Sequence, residues 1–342
     1  MLDERKKSIL EAIIREYVKS AEPVGSRAIV RKHGLGVSAA TVRNEMADLE
    51  EMGFLEQPHT SAGRIPSERG FRYYVDFMME KERLSSDEER FLGGIFGDKV
   101  GDISSVVQKT GQALAQLTNC ASVVLTHPAE QPEFRHLQLV YLGAGKALAV
   151  LVTDMGNVTH KRMDIPESIG PEDLDAVSQI FNASLQGRHL GDLNRTVLEA
   201  MRRELANRRE LLDGALEAID FVLSEEEEER VYVGGALNIL NQPEFKDYEK
   251  LKRVLVMLDE HDFLKGLLNE TGMKEVRIKI GHENQQSQIK ELSIVFTSAE
   301  VQGREVGRIG LIGPVRMEYW RALASVEKVR EAFENAMASI LR

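Results

Sequence analysis

The sequence predicts an α+β chain of several domains, with a small helical head that ends in a hairpin and an acidic body of strand and helix runs. Three observations carry that prediction. The chain has 342 residues, too many for one small domain and enough for two or three. Apolar residues recur at helical spacing in the first fifty or so residues, then give way to two short extended runs around a polar turn. Past residue 120, four short β-branched or Leu-rich runs precede a helical stretch rich in leucine and charge, and three more strand-like runs come after it.

In the head, Leu10, Ile13, Ile14, Tyr17 and Val18 fall at i, i+3, i+4, i+7 and i+8, which makes residues 4–20 an amphipathic helix. The run Ala21-Glu-Pro-Val-Gly25 breaks it. Ser26 is placed to cap a second helix, Arg27 to His33, that ends at Gly34 and Gly36. Ser38 is a good N-cap for a third, Ala39 to Met52, stopped by Gly53. Val42, Met46 and Leu49 form its inward stripe. At about 100° per residue Ala40, Asn44 and Ala47 lie opposite, with Thr41 and Arg43 on the flanks.

That outward face begins with small or hydrogen-bonding side chains, and Asp48, Glu50 and Glu51 come only later. A helix entering a DNA major groove N-terminus first needs this order: little bulk, an amide and a guanidinium for base edges, and no early carboxylate to repel phosphate. A solvent-facing helix of any three-helix bundle can show the same face, and the helix taken alone reads that way. The next segment shifts the balance. Phe54 to Gln57 reads as a short strand, Pro58 to Arg64 as a polar turn and Ile65-Pro66 as a return, which is the order of a winged helix-turn-helix. At the tip, His59, Thr60, Ser61 and Arg64 can bond phosphate or reach a minor groove, although an ordinary β-turn has the same composition. Ser67 opens a fourth helix. Its stripe of Phe71, Tyr74, Val75, Met78 and Met79 is core or a contact with another domain or subunit.

The body starts beyond the charged stretch Lys81 to Arg90, with a helix from about Ile103 to Thr118. Strands are expected from Ala121 to Thr126, Phe134 to Tyr141, Ala147 to Thr153 and Val158 to Met163. The pattern turns helical from Pro171 to about Leu223, runs acidic from Glu225 to Glu229, and is helical again near Tyr248 to Leu268. Strands from Val276, Leu292 and Val306 and a last helix, about Glu318 to Leu341, close the chain. Strands, helices and strands again predict one sheet domain interrupted by a helical insertion. Within the insertion Met201, Leu205, Leu212, Ala215, Ile219 and Val222 keep a three-four spacing broken by Arg208. Such a seam pairs with a second copy or packs on its own domain, and spacing alone favours the second.

A net charge of −11 argues against nucleic acid unless basic groups share a face. Residues 1–80 hold twelve Lys/Arg against thirteen Asp/Glu, and residues 25–72 seven against six, so the head is near neutral and the body acidic. No run approaches the roughly 18 apolar residues of a membrane span. The charged opening Met1-Leu-Asp-Glu-Arg-Lys-Lys leads into a helix, not a signal peptide. With 42% hydrophobic and 29% charged residues, the chain reads as soluble and cytoplasmic. One cysteine, Cys120, can make neither an internal disulfide nor a multi-cysteine metal site, and at the start of an apolar strand it reads as a buried structural thiol. Gly143-Ala-Gly-Lys146 lacks P-loop spacing and reads as a hairpin turn. The eight histidines form no HxxxH or HExxH pair. No catalytic constellation, cofactor site or metal site is expected.

Ser38-Ala-Ala-Thr-Val-Arg-Asn-Glu-Met-Ala-Asp-Leu-Glu50, then Gly53-Phe-Leu-Glu-Gln-Pro-His-Thr-Ser-Ala-Gly-Arg-Ile-Pro-Ser67 and Gly70-Phe-Arg-Tyr-Tyr-Val-Asp76, closely resemble the HrcA family of heat-inducible transcription repressors. The segments around Gly234-Gly235, Pro243-Glu-Phe245 and Gly310-Leu-Ile-Gly-Pro-Val-Arg-Met-Glu-Tyr319 carry the resemblance to the C-terminal end, with Val315 where the family often has Thr. It implies a winged helix over residues 1–82, a linker helix over 83–102, a GAF-like domain in two segments, 103–165 and 231–342, and an inserted dimerising domain over 166–230. It also raises the dimer reading of Met201, Leu205, Leu212 and Ile219. The partners it implies are double-stranded DNA bearing the CIRCE inverted repeat, a second copy of the chain, and the GroEL chaperonin, which keeps the repressor active until heat stress diverts it. Helix geometry then assigns Thr41, Arg43 and Asn44 to the bases and His59, Thr60, Ser61 and Arg64, with Arg27 and Arg31, to adjacent backbone, and Ser38 is counted among the DNA-binding residues. Two rivals stay open at this point: a regulator sensing a metabolite through the GAF-like domain, and a nucleotide-processing enzyme with a DNA-tethering head.

Overall fold

The computed structural model describes residues 2–34, 36–59, 62–97, 102–126, 134–153, 158–188, 230–268, 275–284 and 286–340. Two compact units make up the chain. The first comprises Met1–Lys99, Val107–Leu125 and Val231–Asn335, and the second Val100–Val106, Thr126–Arg230 and Ala336–Arg342.

The first unit opens with helices α1 (Glu4–Ser20), α2 (Ser26–His33) and α3 (Ala39–Glu51). Each boundary has a local cause. Asp3 accepts the Lys6 amide at 2.8 Å to cap α1, and Ala21, at φ 55°, ends it. The second helix starts one residue before the expected position. Gly25 occupies its cap, so Ser26 is the first helical residue and makes no capping bond. Ser38 caps α3 as expected, its Oγ 3.1 Å from the Thr41 amide. Ile9, Ile13, Ile14, Ile29, Val42 and Leu49 are buried together at the centre of these helices.

Strands β1 (Leu55–Glu56) and β2 (Ile65–Pro66) pair antiparallel, Leu55 opposite Pro66. Helix α4 (Glu68–Phe77) comes next, capped by Ser67, whose hydroxyl accepts the Gly70 amide at 3.0 Å. Gly70 lies so close to the Phe54 carbonyl that no Cβ fits there. This close approach seats α4 against the hairpin. Of the expected α4 stripe, Phe71 and Tyr74 are buried, while Met78 already lies beyond the last turn.

Helices α5 (Ser86–Gly97) and α6 (Ile103–Thr118) and strand β3 (Ala121–Thr126) continue the chain. The second unit then supplies β4 (Phe134–Gly143), β5 (Lys146–Thr153), β6 (Val158–Asp164) and α7 (Pro171–Leu185). The chain then continues with β7 (Arg230–Gly234), α8 (Tyr248–Asp259), α9 (His261–Leu267), β8 (Arg277–Ile280), β9 (Leu292–Val301), β10 (Arg304–Pro314) and α10 (Tyr319–Ile340), which belong to the first unit from Val231 to Asn335. Glu260, with ψ 89°, breaks the expected Tyr248-to-Leu268 helix into α8 and α9.

A five-stranded sheet in the order β7-β3-β10-β9-β8 forms the floor of the first unit, with β9 antiparallel to both β10 and β8. All six residues of β3 and nearly all of β9 are buried, which is why these runs are continuously apolar or small rather than alternating. Leu258, Leu264 and Phe245 pack with Val123, Leu125 and Phe296 over the sheet.

The expected grouping of the four strands before the insertion needs correction. Only β3 joins the five-stranded sheet; β4, β5 and β6 form an antiparallel sheet of their own. The excursion therefore leaves the main sheet after β3, not after residue 165. Along β5, Ala147, Ala149 and Leu151 are buried under Leu174, Val177 and Phe181 of α7, while Leu148, Val150 and Val152 are only half-buried. One covered face suffices for a meander with its own helix. Because both faces of β5 are apolar in sequence, the alternation that marks such a sheet is hidden. Asn182 ties the helix to β4 by accepting the Leu137 amide at 2.8 Å and donating to the Leu137 carbonyl at 3.0 Å. The Gly143-Ala-Gly145 segment is the β4–β5 turn, with φ of 85°, 50° and 71°, and it leads into a strand.

Cys120 is buried at the start of β3, and burial pushes its thiol up to about 11. Only the thiolate reacts, and an unfolded cysteine titrates near 8.5, so at pH 8 the native protein should react with a thiol reagent about two orders of magnitude more slowly than the unfolded chain. Equal rates in buffer and denaturant would show the thiol to be exposed.

Candidate nucleic-acid interface

The face of α3 away from the core is open. Val42, Met46 and Leu49 point inward and are buried, while Ser38, Ala40, Arg43, Asn44 and Ala47 lie on the opposite side, Ala40, Arg43 and Ala47 among its exposed positions. Thr41 is half-buried, and its hydroxyl sits 3.0 Å from the Ser38 Oγ in the cap. The cap thus holds the first turn of α3, and Arg43 and Asn44 project from the next residues.

Three of the carboxylates of this helix, Glu45, Asp48 and Glu50, are drawn to other parts of the head. Lys6 of α1 reaches Glu45 at 2.7 Å and Asp48 at 3.0 Å, and Arg5 adds a contact to Glu45 at 3.4 Å. These two carboxylates raise the Lys6 ammonium well above its ordinary range. Glu50 receives the Arg64 Nε at 2.7 Å. Arg43 has no ion-pair or hydrogen-bond partner among the described residues, and neither have Arg27 and Arg31 on α2. Among the described residues, a near-neutral head can therefore present unpaired guanidiniums on α2 and α3 while Glu45, Asp48 and Glu50 of α3 are compensated by Lys6 and Arg64.

Arg64 also pairs through its backbone with Val24, amide to carbonyl in both directions at 2.9 and 2.8 Å. Gly63 lies against the Val24 carbonyl where a Cβ would not fit. The hairpin is thereby stitched both to the α1–α2 connection and to the C-terminal end of α3. His59 is exposed at its tip, and Thr60 and Ser61 lie outside the described residues. So do Met201, Leu205, Leu212 and Ile219. The sequence reading missed Glu50 and Glu45 as partners. Their cations lie 14 and about 40 residues away in the chain, so no local spacing could have announced them.

The described residues contain no cluster of three or more His, Cys, Asp or Glu able to hold a metal ion, and no helix long and apolar enough to cross a membrane. Residues 104–323 match the family described as HrcA protein C terminal domain. A heat-inducible transcription repressor HrcA from Pelotomaculum thermopropionicum is 44% identical over all of this chain and 98% of its own length. The chain belongs to the HrcA family. The HrcA of Desulforamulus reducens is 42% identical over all of this chain and 99% of its own. A crystal structure described only as that of a hypothetical protein superposes with a TM-score of 0.71 over 99% of this chain and all of its own, at 23% identity, which shows a shared mixed α/β fold. The HrcA relatives are named as transcription repressors, not enzymes.

Proposed function

We propose that this chain is a heat-inducible transcription repressor that occupies a CIRCE-type inverted repeat as a dimer and leaves chaperone operons free to be transcribed on heat stress. The observation that carries the reading is α3: an exposed Arg43 with no partner among the described residues, beside Asn44, on the first turns of a helix whose Glu45, Asp48 and Glu50 are paired with Lys6 and Arg64. Helices α1 to α3 with the β1–β2 hairpin act as a winged helix, α3 entering the major groove and the hairpin tip meeting adjacent backbone. Arg27 and Arg31 add phosphate contacts. The sheet of the first unit is the GAF-like body, and the excursion between β3 and β7 is the dimerising insertion. Two copies double the contact and match the two-fold symmetry of an inverted repeat.

Occupancy blocks transcription sterically, and GroEL holds the repressor in its binding-competent state. A fall of a few kcal/mol in folded-state stability is enough to empty the operator, because the whole margin of a folded protein is of that order. A strain lacking the gene should transcribe its chaperonin operon at unstressed temperature as strongly as the parent does after heat shock. In vitro, GroEL added to heat-treated protein should restore operator binding. Unchanged transcript levels in the deleted strain would contradict the repressor assignment, and binding indifferent to GroEL would remove the chaperonin from the scheme.

A further inference from the structure

Within the first unit, the winged-helix segment is gripped on two adjoining faces of α4. On one face the contacts are aromatic. Phe71 meets the ring of Tyr319 edge-on at 5.7 Å, and Tyr74 meets Trp320 at 6.0 Å. Such apolar contacts hold two bodies together but define their mutual rotation only weakly, since apolar burial is non-directional.

The next face is charged and directional. Glu68 and Arg72, one helical turn apart, both reach the turn after β8. The Glu68 carboxylate accepts the His282 backbone amide at 2.9 Å and contacts the His282 Nδ1 at 2.8 Å. Arg72 donates through Nε to Glu283 at 2.7 Å and through Nη2 to the Ile278 carbonyl at 2.6 Å. The turn is shaped for this pair. Gly281 has φ 53°, and the Glu68 carboxyl occupies the space where a Cβ would stand. Glu283 is itself oriented by the Ile280 amide, which donates to it at 2.8 Å. A fork-shaped guanidinium between a carboxylate and a carbonyl fixes an angle more tightly than edge-on ring contacts do.

We propose that Glu68 and Arg72, seated on the Gly281–Glu283 turn, are positioning residues that set the angle of the winged helix on the body and thereby the half-site spacing the repressor accepts. The inference rests on the dimeric, inverted-repeat reading above. In a dimer, two recognition helices can match half-sites at one separation only if each head is held at a fixed angle on the chain that joins it to its copy. Neither residue belongs to the α3 face or the hairpin tip that would meet DNA. Their loss should relax spacing without weakening the contact made by each head.

The test uses the full-length protein and labelled duplexes carrying the two half-sites at their natural separation, at separations changed by two base pairs either way, and one half-site alone. For the unaltered protein, a changed spacer should cost about tenfold or more in affinity. In Glu68→Gln/Arg72→Met that penalty should fall to within about threefold, with half-site affinity unchanged, and Arg72→Lys, which keeps the charge but not the fork, should lose most of the penalty as well. The milder single variant Glu68→Gln, expected to show a partial loss, serves if the double variant melts before the assay. A spacing penalty retained in a folded double variant would overturn the proposal and leave the operator reading standing. An unaltered protein indifferent to spacing would overturn both.

Discussion

Phe71→Ala is expected to cost about 3–5 kcal/mol, the usual penalty for emptying a buried aromatic site. Phe71 is fully buried, with the rings of Tyr17 and Tyr319 centred 6.5 and 5.7 Å from it. It sits where α1, α4 and α10 meet, so its loss opens a cavity that two further aromatic side chains line. Phe77, six residues on in the same helix, is 69% exposed, and Phe77→Ala should stay within about 0.5 kcal/mol of the unaltered protein. Thermal melts of the two variants give the comparison. Equal effects would mean that the fourth helix does not pack on the body as described. Because a loss of that size is a large part of any folded protein's stability, Phe71→Ala should also lower the temperature at which operator binding is lost.

Arg43→Ala/Asn44→Ala is expected to abolish operator selectivity while leaving the protein folded. Each good contact to a base edge contributes about 1–3 kcal/mol of discrimination, so the pair should account for a preference of roughly thirtyfold to twenty-five-thousandfold. Neither side chain belongs to the buried core or makes a described contact with the rest of the protein, so little structural cost accompanies their removal. Binding to unrelated DNA should weaken only by the loss of one cation. Full selectivity retained by a folded double variant would show that α3 does not face the bases.

The helices of the head were legible because their signals are local. Ser38 and Ser67 cap where their sequence positions indicate, and the stripe Val42, Met46 and Leu49 is buried at its expected period. What escaped was set by distance or by ambiguity. The Lys6–Glu45 and Arg64–Glu50 pairs join residues far apart in the chain, and with them the reason that α3 offers positive charge at one end. The separation of β4–β6 from the main sheet escaped because Leu148, Val150 and Val152 make β5 look buried on both sides. The seat of Glu68 and Arg72 on the turn at Gly281 spans more than two hundred residues. Only the fold could reveal it.

The most direct measurement is fluorescence anisotropy of the full-length protein on a labelled CIRCE-type inverted repeat and on a scrambled duplex of the same length and composition. Salt is held at one physiological concentration, because the nonspecific component varies steeply with it. A repressor of the proposed kind should prefer the inverted repeat by about a thousandfold or more, with two copies of the chain per duplex. Equal, weak binding to both duplexes by folded protein, with GroEL present as well as absent, would contradict that reading.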